Sequence, residues 1–322
     1  MDEVLDGLDF CFVYVDDVLI GSKSEEEHVL HVREVLTRLA EHGIVLNGEK
    51  CVLGVSEVQF LGHMVSARGI IPLPEKVAAI RAFPRPGTVG QLMSYLGMVN
   101  FYRRFIKGAA GVLKPLTDAL CGTSGKAAKL DWSPSMLAAF ETSKKQMVQV
   151  THLAHPGKMA KLALSVDASG THVGAALQQE MSGSLQPLGF FSRKLNTAEQ
   201  KYSAFDRELL AVYAAIRHFR WALEGRRFYV LSDHKPHTLA LHRQSDAWSA
   251  RQQRHLSYVA EYTSDIRHVP GKENVVADCL SRPPEELSLH RSTHVASIKV
   301  PSGSLAAPWH GMGVQGPTLW LW

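Results

Sequence analysis

Residues 10–21 read FCFVYVDDVLIG, an apolar run broken once, by Asp16 and Asp17. The flanks have strand composition and the two aspartates fall where a tight turn belongs, so the pattern predicts a β-hairpin with both carboxylates at its tip. Residues 25–42 change period. Val29, Val32, Leu36 and Leu39 recur at helical spacing, Glu25 to Glu27 suit a helix start, and Gly43 stops it. IVLN (44–47) and VQFLGHMVS (58–66) then read as short strands, with ARG (67–69) as a turn. Residues 72–83 and 88–106 read as short helices separated by PRPG. CGTSGKAAKLD (121–131) is small and polar, a linker, and a connecting helix is expected over 134–150.

A second pattern begins near residue 160. KLALSVD, HVGAALQQ and QPLGFFSR are strands. Residues 197–219 form a long amphipathic helix opened by a Thr197/Gln200 capping box. RRFYVLSD is a fourth strand, RQQRHLSYVAEY a helix, TSDIRHV a strand and NVVADCLSR a last helix stopped by Pro283-Pro284. The order βββαβαβα marks an α/β class. Residues 285–322, rich in Ser, Pro, Gly and His without a sustained period, read as a disordered tail.

Composition refines this only a little. At 322 residues, 45% hydrophobic and 20% charged, the chain is that of a globular protein with two or three cores. A net charge of +4 permits a nucleic-acid partner without requiring one. Cys11, Cys51, Cys121 and Cys279 form no CxxC pair, which argues against a structural zinc site and a disulfide framework. The expected setting is intracellular, with no signal peptide and no membrane span.

The chemistry lies in carboxylates that sit in apolar settings. Asp167 and Asp233 each end a strand, where sites gather in an open sheet. Glu208 borders the apolar face made by Phe205, Leu209, Val212, Tyr213 and Ile216, and Asp278 lies four residues after Asn274, the expected N-cap of the last helix. Taken singly, Asp167 is equally a turn residue, Asp233 equally a helix cap and Asp278 equally a helix-surface residue, while a partly exposed helix position is the lesser reading of Glu208. Taken together, four such groups would repel unless a divalent cation joined them, and paired Mg2+ ions serve phosphodiester cleavage.

The phrases SVDASGTHVGAALQQ, FDRELLAVYAAIRHF, FYVLSDHKPHTLAL and IRHVPGKENVVADCLSR resemble the ribonuclease H domain of gypsy-type retrotransposon polyproteins. YVDD, with HGIVLNGEKCVLGVSEVQFLGHMVSARGI and PEKVAAIRAFPRPGTVGQLMSYLGMVNFYRRFI after it, resembles the end of the palm and the thumb of their reverse transcriptase. The resemblance implies a palm remnant at 1–70, thumb or connection helices at 71–120, a linker and connecting helix at 121–159, and a ribonuclease H-like five-stranded mixed sheet with flanking helices at 160–283, before the 284–322 tail. It implies that Asp167, Glu208, Asp233 and Asp278 hold two Mg2+ ions, with Mn2+ as the alternative, to cut the RNA strand of an RNA–DNA hybrid.

It also implies that Asp16 and Asp17 are catalytic and metal-binding in a polymerase remnant acting on template–primer. Ser169, Gly170, Thr171 and the backbone near Gln178 are the expected hybrid contacts, and Arg103, Arg104 and Lys107, set among Phe101, Tyr102 and Phe105, an expected backbone-binding patch. His268 is a candidate for aiding product release. The third polymerase carboxylate and the fingers have no counterpart before FVYV, so polymerisation is expected to need an upstream Pol segment, and no integrase zinc module or protease motif is recognised. The expected location is the cytoplasm or a virus-like particle, with the nucleus as an alternative. Two other readings stay open: an idle nucleic-acid-binding module and a decayed transposon fragment.

Overall fold

The computed structural model describes residues 1–120, 125–157, 159–181, 183–233, 248–271 and 274–281. The expected tail at 284–322 lies outside them, as do residues 121–124 of the expected linker. The chain divides after Leu73 into two compact units. The boundary expected between the palm remnant and the thumb or connection helices, at 70/71, lies three residues before this division.

The first unit opens with α1 (Asp2–Leu5) and the hairpin β1 (Cys11–Tyr14) and β2 (Asp17–Ile20). Tyr14 pairs with Asp17, so the two-residue tip is Val15-Asp16, and Asp17 already belongs to the strand. The expected Asp-Asp tip is thus shifted by one residue, with Val15 in the left-handed region at φ 55°, costly for a β-branched side chain. Helix α2 (Glu25–Glu41) starts on Ser24, whose hydroxyl accepts from Glu27 N. Its buried face is His28, Val35 and Leu39. Val29 and Leu36, expected on that face, are exposed, because the hairpin and α1 cover only one side of the helix. IVLN forms no strand. VQFLGHMVS is not one strand but two, β3 (Glu57–Phe60) and β4 (His63–Ser66), folded at Leu61-Gly62 where both residues have positive φ. β5 (Gly69–Pro72) completes a three-stranded meander.

The second unit begins with α3 (Pro74–Ala82), α4 (Val89–Phe101), α5 (Ala109–Asp118) and α6 (Pro134–Val148). Thr88 and Gln91 form a reciprocal capping box on α4. The small polar stretch after residue 124 is no free linker. Val89 N donates to Ala128 O at 3.0 Å, Gly90 N to Lys126 O at 2.8 Å and Trp132 Nε1 to Pro86 O at 2.7 Å, so it is laced to the start of α4. The pattern did not single out α5, which carries Pro115 yet buries Ala109, Val112, Leu113 and Leu116.

The five-stranded sheet has the order β10-β9-β6-β7-β8, from β6 (Lys161–Ala168), β7 (His172–Met181), β8 (Ser184–Lys194), β9 (Phe228–Ser232) and β10 (Ile266–His268). β6, β7 and β8 are antiparallel neighbours, while β9 and β10 run parallel to β6, giving the expected mixed sheet. α7 (Ala204–His218) and the short α8 (Arg220–Leu223) follow β8, α9 (Ala250–Tyr262) packs on α7, and α10 (Val275–Ser281) packs on β6 and β7. α7 starts later than its pattern suggested. Ser203 is its cap, accepting from Asp206 N, while Asn196 Oδ1 accepts from Ala198 N and Glu199 N and turns TAEQK into a separate loop. The core joins Leu162, Leu164 and Val166 of β6 to Val212, Ala215 and Ile216 of α7.

Residues 74–120 belong with the sheet for a physical reason. Arg103 donates to Ser192 O of β8 at 2.7 Å, and Ser192 Oγ accepts from Ala110 N at 2.8 Å. α5 and the turn before it therefore cover one end of the sheet. Among the described residues no helix is long and apolar enough to cross a membrane.

Candidate active site

Asp167 is the next-to-last residue of β6, the central strand. The parallel pairing of Ser165 with Leu231 brings Asp233, the residue after β9, level with Asp167. Because side chains alternate with period two, both carboxylates leave the same face of the sheet. α7 crosses β6 and brings Glu208 from its buried side. One oxygen from each of Asp167, Glu208 and Asp233 lies within 4.8 Å of the others.

The burial is uneven. Asp167 and Glu208 are each 6% exposed, whereas Asp233 is more open. Glu208 Oε1 accepts from Ala168 N at 3.0 Å, which fixes the side chain. Its Oε2 is buried with no hydrogen-bond partner. Burial, and then the negative charge of Asp167, push the Glu208 carboxyl up to about 9. Three converging carboxylates, one with an orphaned oxygen, make a hard oxygen-donor set of the kind that suits Mg2+ or Mn2+. The trio can hold a divalent cation. Gly271 comes so near that a Cβ there would stand 3.2 Å from Asp233 Oδ2, so Gly271 lines the open side.

Asp278 does not join the trio. It lies on α10, whose N-terminal neighbour Asn274 donates its side-chain amide to Val166 O at 2.9 Å rather than serving only as a cap. At the other end of α10, Ser281 donates its hydroxyl to Asp167 Oδ2. Sequence reasoning did not single out Ser281 or Gly174, whose part is clear only once α10 lies on the sheet.

Residues 132–230 match a family described as an RNase H-like domain found in reverse transcriptase, and residues 1–65 match reverse transcriptase (RNA-dependent DNA polymerase). The chain is 38% identical over 273 residues to the retrovirus-related Pol polyprotein from transposon 297 of Drosophila melanogaster, and 33% identical over 272 residues to the transposon Tf2-3 polyprotein of Schizosaccharomyces pombe. The chain belongs to the retrotransposon Pol family. Each alignment covers 84% of this chain but only 25% and 20% of the respective polyprotein. This Pol segment also has the fold of a foamy viral protease-reverse transcriptase solved in complex with double-stranded DNA, with a TM-score of 0.73 at 22% identity over 84% of the chain and 47% of that structure. A second structure of that enzyme, in complex with an RNA/DNA hybrid, aligns with a TM-score of 0.72, 22% identity and cover of 84% and 36%.

The RNase H-like match starts at residue 132 and so spans α6, read from the sequence as a connecting helix; it includes Asp167 and Glu208 and ends before Asp233. On the polymerase side of this Pol segment, Asp16 and Asp17 are exposed at the hairpin. No third carboxylate, histidine or cysteine among the described residues gathers with them.

The expected nucleic-acid contacts are placed unevenly. Gly170 is open to solvent, with nothing near its Cβ position. Ser169 accepts from Thr171 N and His172 N, closing the β6–β7 loop, and Thr171 Oγ1 meets His172 Nδ1 at 2.9 Å. Gln178 is buried, its Oε1 accepting from Ser165 Oγ at 3.0 Å, so its side chain is an internal tie. Arg103 is engaged with Ser192, and Arg104 lies over the Phe105 ring at 5.0 Å, both in surroundings that disfavour their charge by burial. The exposed member of that trio, Lys107, has its Nζ 5.6 Å from the Phe190 ring centroid. The basic–aromatic cluster is therefore chiefly packing between α4, α5 and β8. His268 pairs with Ser232, one residue before Asp233.

Proposed function

We propose that the unit from Pro74 onward is a ribonuclease H that hydrolyses the RNA strand of RNA–DNA hybrids. The observation that carries this reading is the convergence of Asp167, Glu208 and Asp233 within 4.8 Å, with Glu208 Oε2 buried and unpartnered. Two Mg2+ ions, or Mn2+ in their place, would supply the charge that activates a water and steadies the leaving oxygen. The chain's own residues do the rest. Asp167 and Asp233 present oxygens from adjacent parallel strands, which fixes their spacing. Glu208, tied to Ala168 N, offers its free oxygen from beneath. In the net reaction a water oxygen bonds to phosphorus and the P–O3′ bond breaks, leaving a 3′-hydroxyl and a 5′-phosphate. The exposed loop at Gly170 lets backbone approach a wide minor groove, where 2′-hydroxyls distinguish RNA from DNA.

Asp278 standing outside the trio favours one alternative, a module that binds a hybrid without cutting it. In the first unit, Asp16 and Asp17 would serve polymerisation on a template–primer only with a carboxylate from an additional Pol segment. The deciding experiment is cleavage of a labelled RNA strand in a hybrid with Mg2+, comparing wild type with Asp233→Asn. Cleavage by wild type alone is expected. A folded wild type that binds the hybrid and leaves the RNA intact would overturn the nuclease reading in favour of the binding module.

A further inference from the structure

α10 is seven residues long, too short to hold its shape without tertiary support. Its support is concentrated beside Asp167. Asn274 donates to Val166 O at 2.9 Å, the residue before Asp167. Gly174 is the register partner of Asp167 across the β6–β7 ladder. A Cβ on Gly174 would stand 2.5 Å from Leu280 C and 2.6 Å from Ser281 N, so any side chain there would push the end of α10 away. With glycine in place, Ser281 is wholly buried and donates its hydroxyl to Asp167 Oδ2, while its Oγ also lies 3.1 Å from Asp278 O in the preceding turn.

A carboxylate that ligates a cation through one oxygen is held in its rotamer by what bonds to the other. Such outer partners tune affinity on the order of 10–100-fold. A buried hydroxyl donor also favours the ionised carboxylate that a cation needs. We infer that Ser281, seated against Asp167 through the gap that Gly174 leaves, is a positioning residue that orients Asp167 and sets the divalent-cation affinity of the carboxylate trio. This rests on the nuclease reading above. It also gives α10 a task separate from that of Asp278.

The test uses the full chain. Mn2+ affinity is measured by paramagnetic resonance for wild type, Ser281→Ala, Ser281→Thr and Ser143→Ala. Ser143 is a control of equal burial, its hydroxyl bonded to Tyr95 Oη at 2.6 Å. Ser281→Ala is expected to weaken Mn2+ about 10-fold or more, with a thermal midpoint in EDTA like that of Ser143→Ala. Ser143→Ala should bind Mn2+ as wild type does, and Ser281→Thr, which keeps the hydroxyl, should recover most of the affinity. RNA cleavage by Ser281→Ala should return as Mg2+ is raised. Wild-type Mn2+ affinity in Ser281→Ala overturns the inference while leaving the nuclease reading intact. So does a Ser281→Thr chain that folds but binds no better than Ser281→Ala. A wild type that binds no Mn2+ overturns the nuclease reading itself.

Discussion

The two units treat acidic residues and apolar surface in opposite ways. In the unit from Pro74 onward, nineteen buried apolar side chains among the described residues form one continuous core, of which each Val, Leu, Ile and Phe contributes about 1.5–3 kcal/mol. That core is large enough to hold Asp167 and Glu208 nearly out of water and near one another. In the unit ending at Leu73, the buried apolar residues fall into separate groups of five and three. There Asp16 and Asp17 stand in solvent, and Phe12 remains 58% exposed. Both motifs look alike as text, aspartates at the ends of apolar runs. What separates them is whether enough packed structure surrounds the carboxylates to make their mutual repulsion costly and a cation useful.

The largest expected effect tests that contrast at the two acidic sites. Asp233→Asn should lower RNA cleavage on the order of 10³-fold, the equivalent of about 4 kcal/mol. Asp16→Asn should leave hybrid cleavage unchanged. Single-turnover rates on one labelled hybrid compare the two directly, and equal losses would break the contrast.

Next comes the boundary between the units. Deleting residues 1–73 should leave a cooperatively melting, Mg2+-responsive protein, because the division falls after Leu73. Deleting residues 1–120 should not, since it removes α5 and the Arg103–Ser192 and Ala110–Ser192 bonds that cover β8. Calorimetry of both truncations reads this, and a cooperative transition in the shorter one would show that the sheet folds without residues 74–120. Within the packed unit, Leu164→Ala should cost about 2–5 kcal/mol in chemical denaturation.

Acidity offers a finer probe. Without a cation the folded Glu208 keeps its proton up to about 9, whereas an unfolded carboxylate loses it near 4.5. The folded form thus binds more protons between those values. The stability this group confers is fully present below about 4.5 and declines as pH rises toward about 9. In EDTA the thermal midpoint of Glu208→Gln should therefore exceed that of wild type at pH 8 by several degrees, a gain of about 1–2 kcal/mol, and should show no response to Mg2+. A wild type equally stable across this range in EDTA would contradict the buried, cation-seeking carboxyl. The smallest effect is expected on the outer face of α2, where Val29→Ala should change stability by less than about 0.5 kcal/mol, although Val29 sits at helical spacing with Leu39.

Much of the fold could be read from residue order. The βββαβαβα pattern follows from local periodicity, because β6, β7 and β9 are largely apolar and α7 has one broad apolar face. Asp167, Glu208 and Asp233 were legible because strand ends and a glutamate inside an apolar face are visible in text. The errors share a cause. Thr197 with Gln200 has the spacing of a capping box, yet Asn196 competes for the same backbone donors and Ser203 opens the helix instead. Arg103, read as a phosphate contact, donates to Ser192 O, a partner that the sequence gives no sign of.

The sequence by itself determined most of the strands and helices from residue 160 onward and which carboxylates they carry, since period and turn chemistry act over a few residues. Only the tertiary structure decided that residues 74–120 pack with the sheet. It alone made Gly174 the gap through which Ser281 reaches Asp167, and it left Asp278 outside the trio. Those outcomes depend on distances between residues more than eighty positions apart, set by how helices of given length and bulk settle on a sheet, which local propensity does not encode.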